Sequence, residues 1–157
     1  MPHVAPQSGE FELGTDGPSA ILVGSDDTVT ATRATAYAAG LARRQRARLI
    51  VVYVAPAGGP VAAAPGGAAL LAAESAAYGE LAASLRDRVE AIGRELGIAV
   101  TFIAAHGDPY GQIKRIADET RADAIVVGAS MQAGHKLVGS LAVRLVRAGR
   151  WPVTVVP

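Results

Sequence analysis

Arg48-Leu49-Ile50-Val51-Val52-Tyr53-Val54 is the stretch on which the fold turns. After Arg48 the run is apolar without interruption. An alternating pattern would mark a strand with one wet face. An unbroken one marks a strand covered on both faces, which is the condition of strands in a parallel sheet. Working outward, Ser19-Ala20-Ile21-Leu22-Val23-Gly24 is a second such run. Between the two, Thr30 to Arg46 carries Ala34, Ala38, Leu41 and Ala42 on one stripe, the spacing of a helix. Beyond Val54, residues 55–67 are small residues, Pro and one Val, which predicts a long mobile loop. A helix is expected from Ala69 to Leu96, with Leu70, Leu81, Leu85, Val89, Ile92 and Leu96 near helical spacing and Gly97 as its stop.

The alternation continues to the C-terminus. Ile98 to Ala104 reads as the third strand. Gly107-Asp108-Pro109 breaks the chain, and Tyr110 to Arg121 reads as a helix with Ile113, Ile116 and Ala117 inward. Ala124 to Gly128 reads as the fourth strand, Leu141 to Arg147 as a short helix and Pro152 to Val156 as the last strand. Strand and helix in strict turn predict an α/β fold, a five-stranded parallel sheet with helices on both faces and right-handed crossovers. Residues 1–18, rich in Pro and Gly and without a period, predict a flexible N-terminal tail before a single domain over 19–157.

Composition narrows the function classes. The 157 residues are one domain's worth of chain, half of them hydrophobic, so a packed core is within reach. Fifteen Lys and Arg against fourteen Asp and Glu leave a net charge of +1, which offers no global attraction to nucleic acid or to an acidic membrane. Without cysteine there is no disulfide framework, no thiolate metal site and no Cys nucleophile. Three histidines, His3, His106 and His135, do not suggest a His-rich metal centre. The opening Met1-Pro2-His3-Val4-Ala5-Pro6 lacks a basic segment followed by an apolar one, and no stretch is long and apolar enough to span a bilayer. The expectation is a soluble cytoplasmic protein.

In an open parallel sheet, ligands bind beyond the carboxyl ends of the strands. The candidates are therefore the residues after each strand. Gly24, Ser25 and Asp26 follow the first. Gly128 opens, and Gly139-Ser140 closes, the loop after the fourth, which also carries Gly134 and Lys136. Ser140 and the amides after it form an anion site of the helix N-terminal type, and Lys136 adds a point charge. The plain alternative is that Gly128 ends a strand and Gly139-Ser140 caps a helix. Asp26 likewise either accepts from a ribose hydroxyl or serves the start of the first helix with Asp27 and Thr28. His106, Asp108 and His135 are the only nearby groups that suggest a water-activating base, and none stands at a diagnostic spacing to a nucleophile. The expectation is a binding protein rather than an enzyme, with weak ATPase activity as a lesser reading.

Three segments carry a family resemblance: Ile21 to Asp26 followed by an Ala-rich helix; Gly107-Asp108-Pro109 through Gly128; and Leu137-Val138-Gly139-Ser140-Leu141 leading to Trp151-Pro152-Val153-Thr154-Val155-Val156. Across residues 19–157 the chain resembles the universal stress protein family. The resemblance implies a Rossmann-like sandwich of the adenine nucleotide alpha hydrolase type. It also implies a homodimer that pairs its last strand, here Val153, Thr154, Val155 and Val156. One branch of the family binds ATP or a related adenine nucleotide through Gly, two residues, Gly, nine residues, Gly and Ser or Thr. Gly128 matches the first glycine and Gly139 with Ser140 the last pair. Asp26 matches the ribose contact and Val54 the residue beside the adenine. The implied ligand-binding residues are Gly24, Ser25, Asp26, Val54, Gly128, Gly134, Lys136, Gly139, Ser140 and Leu141. The chain departs from the motif in two ways. Met131 stands at the second glycine, and the loop is two residues shorter. A branch of non-nucleotide-binding dimeric interaction proteins is the alternative that the resemblance leaves.

Overall fold

The computed structural model describes residues 17–57, 64–130 and 139–157. The elements are β1 (Ala20–Gly24), α1 (Val29–Gln45), β2 (Arg48–Ala55), α2 (Gly67–Leu96), β3 (Val100–His106), α3 (Pro109–Thr120), β4 (Ala124–Gly128), α4 (Ser140–Ala148) and β5 (Val153–Val156). All pairings are parallel, in the order β3-β2-β1-β4-β5. The expected five-stranded α/β sheet is what forms. Of the expected N-terminal tail, residues 1–16 lie outside the described residues, as do 58–63 of the long loop and 131–138 of the loop after β4.

The unbroken apolar runs have the cause inferred for them. Ile21, Leu22, Val23, Leu49, Ile50, Val51 and Val52 are all buried, so both faces of β1 and β2 are covered. On one face, Leu22, Ile50, Val52, Ile125 and Val127 pack with Ile113, Ile116 and Ala117 of α3 and Ala142 and Leu145 of α4. On the other, Ile21, Val23, Val51 and Val126 pack with Ala34, Ala38, Ala39 and Ala42 of α1 and Val89 of α2. The α1 face is built of alanines, which bring its backbone close to the sheet. That closeness shapes the site.

Two expectations need correction. The third strand runs two residues later than the apolar run suggests. The backbone at Gly97 turns left-handed (φ 63°) and the Ile98 amide returns to the Gly93 carbonyl at 3.0 Å, so the end of α2 uses Ile98, which looked like the start of a strand. At the far end, pairing with Ala55 carries His106 into β3. Leu70 is not a core residue either. It is exposed, and the docked face of α2 begins near Tyr78 and runs through Leu81, Leu85 and Val89.

The entry to the domain is pinned. Asp123, buried before β4, accepts from the Ser19 amide (2.8 Å), the Ser19 hydroxyl (2.8 Å) and the Ala20 amide (2.9 Å). One carboxylate thus locks the start of β1 to the strand beside it.

Candidate functional site

Strand order reverses between β1 and β4. β1 runs on through α1 to β2 on one side, while β4 lies on the other. At that switch point, beyond the strand ends, lies a cleft of about 320 Å³. Small-molecule sites occupy roughly 300–1,000 Å³. Its walls come from the loops and helix starts after β1 and β4, with Val52 and Val54 of β2 and Pro109 and Ile113 of α3 completing it.

The first wall is a sequence of turns. The Ser25 amide donates to the Val52 carbonyl at 2.8 Å and holds the chain to β2 for one residue past β1. Asp26 Oδ1 then accepts from the Thr28 amide (3.1 Å) and the Thr28 hydroxyl (2.6 Å). Asp27 between them is left-handed, φ 66°. Thr28 is the N-cap of α1, its hydroxyl oxygen accepting from the Ala31 amide at 3.2 Å. These contacts give Asp26 the helix-start role. One carboxylate oxygen organises the helix start, and the group stays exposed at the lip of the cleft. Asp26 also reaches Tyr53 electrostatically. Burial pushes the Tyr53 phenol above its ordinary range, and Tyr78 and Asp26 add to the shift.

The second wall is glycine-framed, for reasons that lie in packing. A Cβ on Gly128 would stand 2.7 Å from the Ala31 nitrogen and 2.7 Å from the Thr30 carbonyl carbon, both backbone. The alanine face of α1 brings the helix this close. The Thr30 hydroxyl fastens the same contact by donating to the Ala129 carbonyl at 2.8 Å. A Cβ on Gly139 would stand 2.9 Å from Ser130 Cβ, so the two ends of the 130–139 loop touch there. Gly139 is the N-cap of α4, and among the described residues no side chain caps that helix. The amides of Ser140, Leu141 and Ala142, the first turn of α4, lack partners within an α-helix and belong to residues that line the cleft. They carry the positive end of the helix dipole.

Asp26 is the one charged side chain among the described lining residues. Asp108 is close in sequence to Pro109 but is already engaged. It caps α3 by accepting from the Gly111 amide at 2.8 Å and pairs with Arg144 at 3.2 Å, and Arg144 lies 4.1 Å over the Tyr110 ring. The Gly111 hydrogen bond above all, with Arg144 adding to it, holds the Asp108 carboxyl below its ordinary range. His106, at the end of edge strand β3, is not among the lining residues. Among the described residues no group of three or more His, Asp or Glu is arranged to hold a metal, and no helix is long and apolar enough to cross a membrane.

Of the candidates read from the sequence, Gly24, Ser25, Asp26, Val54, Gly128, Gly139, Ser140 and Leu141 meet in this one cleft. Gly134, Lys136, Met131 and His135 lie outside the described residues. Sequence reading missed Thr28, Thr30, Ser130, Pro109 and Ile113 as lining residues. Thr28 had a signal, since Asp-Asp-Thr before a helix is a capping pattern. Ile113 had none, because an inward helix position does not reveal that it also floors a cleft.

A family model, the universal stress protein family, matches residues 19–157. The chain belongs to the universal stress protein family. Solved structures agree in fold. A universal stress protein family member from Burkholderia pseudomallei is 29% identical with a TM-score of 0.69, over 88% of this chain and 96% of that one. The universal stress protein UspA from Lactobacillus plantarum is 26% identical with a TM-score of 0.71, over 88% and 97%. The universal stress protein from Archaeoglobus fulgidus in complex with dAMP is 24% identical with a TM-score of 0.57, over 87% and 96%. No match was found among curated proteins.

Proposed function

We propose that this universal stress protein domain binds an adenine mononucleotide in the cleft beyond β1 and β4, as a homodimer paired through β5. One observation carries the nucleotide reading: a single exposed carboxylate, Asp26, and a single helix N-terminus without a side-chain cap, at Ser140, open into one cleft of suitable size. The carboxylate suits ribose hydroxyls, and the α4 amides with the Ser140 hydroxyl suit one phosphate. Val52 and Val54 offer the apolar surface for a base. The α4 amides and Ser140 make one anion site, and so one phosphate is proposed. The dAMP complex of the Archaeoglobus fulgidus neighbour supports a ligand of this class. Nothing in this role needs a chemical step, and the chain acts as a nucleotide-responsive module of the stress response rather than as an enzyme.

Calorimetric titration with AMP, ADP and ATP tests it. AMP should bind with one site per chain, and the added phosphates should bring no gain. Ser140→Ala should weaken AMP by ~0.5–1.5 kcal/mol, or up to ~3 if the hydrogen bond is charge-assisted. No heat from any of the three at millimolar concentration would remove the reading.

The packing roles of Gly128 and Gly139 favour a second reading, a dimeric interaction protein without a nucleotide, since both glycines are explained with no ligand present. That reading requires a melting temperature indifferent to AMP, because only a ligand bound to the native state raises it.

A further inference from the structure

The turn at residues 26–28, between the Ser25 amide bonded to Val52 and the Thr30 hydroxyl bonded to Ala129, takes one further contact from a distant side chain among the described residues. Within residues 26–28 the hydrogen bonds of Asp26 go to Thr28, and those of Thr28 stay on the loop and the start of α1. Among the described residues, the side chain that reaches this turn from elsewhere in the fold is Arg88 of α2, whose Nη2 bonds Asp27 Oδ1. Asp27 is the left-handed residue of the turn, a conformation uncommon for any residue with a Cβ. Arg88 has a firm base. Leu85 and Val89, on either side of it along α2, are both buried against the sheet and its neighbours.

We propose that Arg88 is a positioning residue for the nucleotide site: through Asp27 it fixes the turn that aims the Asp26 carboxylate at the ribose hydroxyls of the ligand. The inference rests on the nucleotide reading above for its ligand. It adds that α2, a helix contributing no residue to the cleft walls, sets the site's preference for a hydroxylated sugar. Lengthwise, the coupling runs from the sheet through Leu85 and Val89 to Arg88, then through Asp27 to Asp26.

The test uses the full chain in five forms: wild type, Arg88→Gln, Arg88→Lys, Asp27→Asn and the Arg88→Gln/Asp27→Asn double variant. Asparagine at 27 keeps the tolerance for left-handed backbone and removes the charge. The ligands are AMP and 2′,3′-dideoxyadenosine monophosphate, which lacks the hydroxyls. Arg88→Gln and Asp27→Asn should each weaken AMP by about two- to fivefold, the span an exposed ion pair supports. Neither should change affinity for the dideoxy analogue. The double variant should lose no more than either single one, and Arg88→Lys should retain most of the wild-type preference. An equal loss for both ligands, or additive losses in the double variant, would overturn the inference. Amide hydrogen exchange without ligand separates the two claims. The Thr28 amide, bonded to Asp26, should exchange about two- to fivefold faster in Arg88→Gln. Unchanged exchange contradicts the clamp whatever the nucleotide does. A wild-type protein that takes up no AMP removes the ligand and the ribose role together, while the exchange rate still shows whether Arg88 holds the turn.

Discussion

At the scale of single residues, the site is framed by atoms that are missing as much as by atoms present. Gly128 allows α1 to lie against the end of β4, with the Ala31 nitrogen and Thr30 carbonyl where a methyl group would be. Backbone cannot rotate away as a side chain can. Gly128→Ala should therefore destabilise the fold by about 1–3 kcal/mol, as overpacking does, read as a lower midpoint in urea unfolding. An unchanged midpoint would mean that α1 is free to retreat. The glycine motif shows how sequence and structure differ in what they disclose. In the sequence Gly128 and Gly139 read either as backbone that approaches a ligand or as a strand end and a helix cap. The structure places both in the cleft lining and gives each a close protein neighbour as well, Ala31 and Ser130. Periodicity and motif spacing cannot tell these apart, because both demands select the same residue. The helix-start role of Asp26 was legible, since the capping pattern is written in adjacent residues. The clamp on Asp27 was not legible, for Arg88 is sixty-one positions away.

At the scale of elements, the three helix starts at the cleft differ in how they are capped. Thr28 caps α1 and Asp108 caps α3, both with side-chain oxygens, whereas α4 at Gly139, like α2 at Gly66 away from the cleft, has no side-chain cap among the described residues. The capped starts spend their first amides internally, and α4 leaves its own facing the cleft. The Asp108 cap has a pH signature. Its carboxyl is held below the ordinary range, first by the Gly111 amide and then by Arg144, so the folded form prefers the ionised group. The stabilisation is present above the ordinary carboxylate pKa and is lost as pH falls through the depressed folded value. An NMR titration of the Asp108 carboxyl should find its midpoint below that of an unperturbed Asp, and Asp108→Asn should abolish the associated shift of the Gly111 amide. A midpoint at or above the ordinary value would contradict the cap. Element boundaries follow the same logic of legibility. β4 appears where its apolar run lies, Ala124–Gly128. β3 is displaced because the left-handed ending at Gly97 turns the Ile98 amide back to Gly93, a backbone event that hydrophobicity does not record.

At the scale of the whole molecule, a parallel sheet with β1 at its centre creates the cleft and also leaves two edges. β5 is one of them, with Val153, Val155 and Val156 half-buried against the cores of both faces and one side unpaired among the described residues. An apolar unpaired edge invites another strand. Sedimentation equilibrium should give twice the chain mass at micromolar concentration, and a monomer there would contradict the proposed β5 pairing. The proposed ligand depends on the same sheet, because the β1–β4 pairing stops at Val23 and Val126 and the cleft lies beyond it. The most direct test of that claim is an amide NMR titration with AMP. The account predicts saturable shifts concentrated at Ser25, Asp26, Ser140, Leu141 and Ala142, greatly reduced in Asp26→Ala. Shifts absent at millimolar AMP, or clustered away from the ends of β1 and β4, would contradict it.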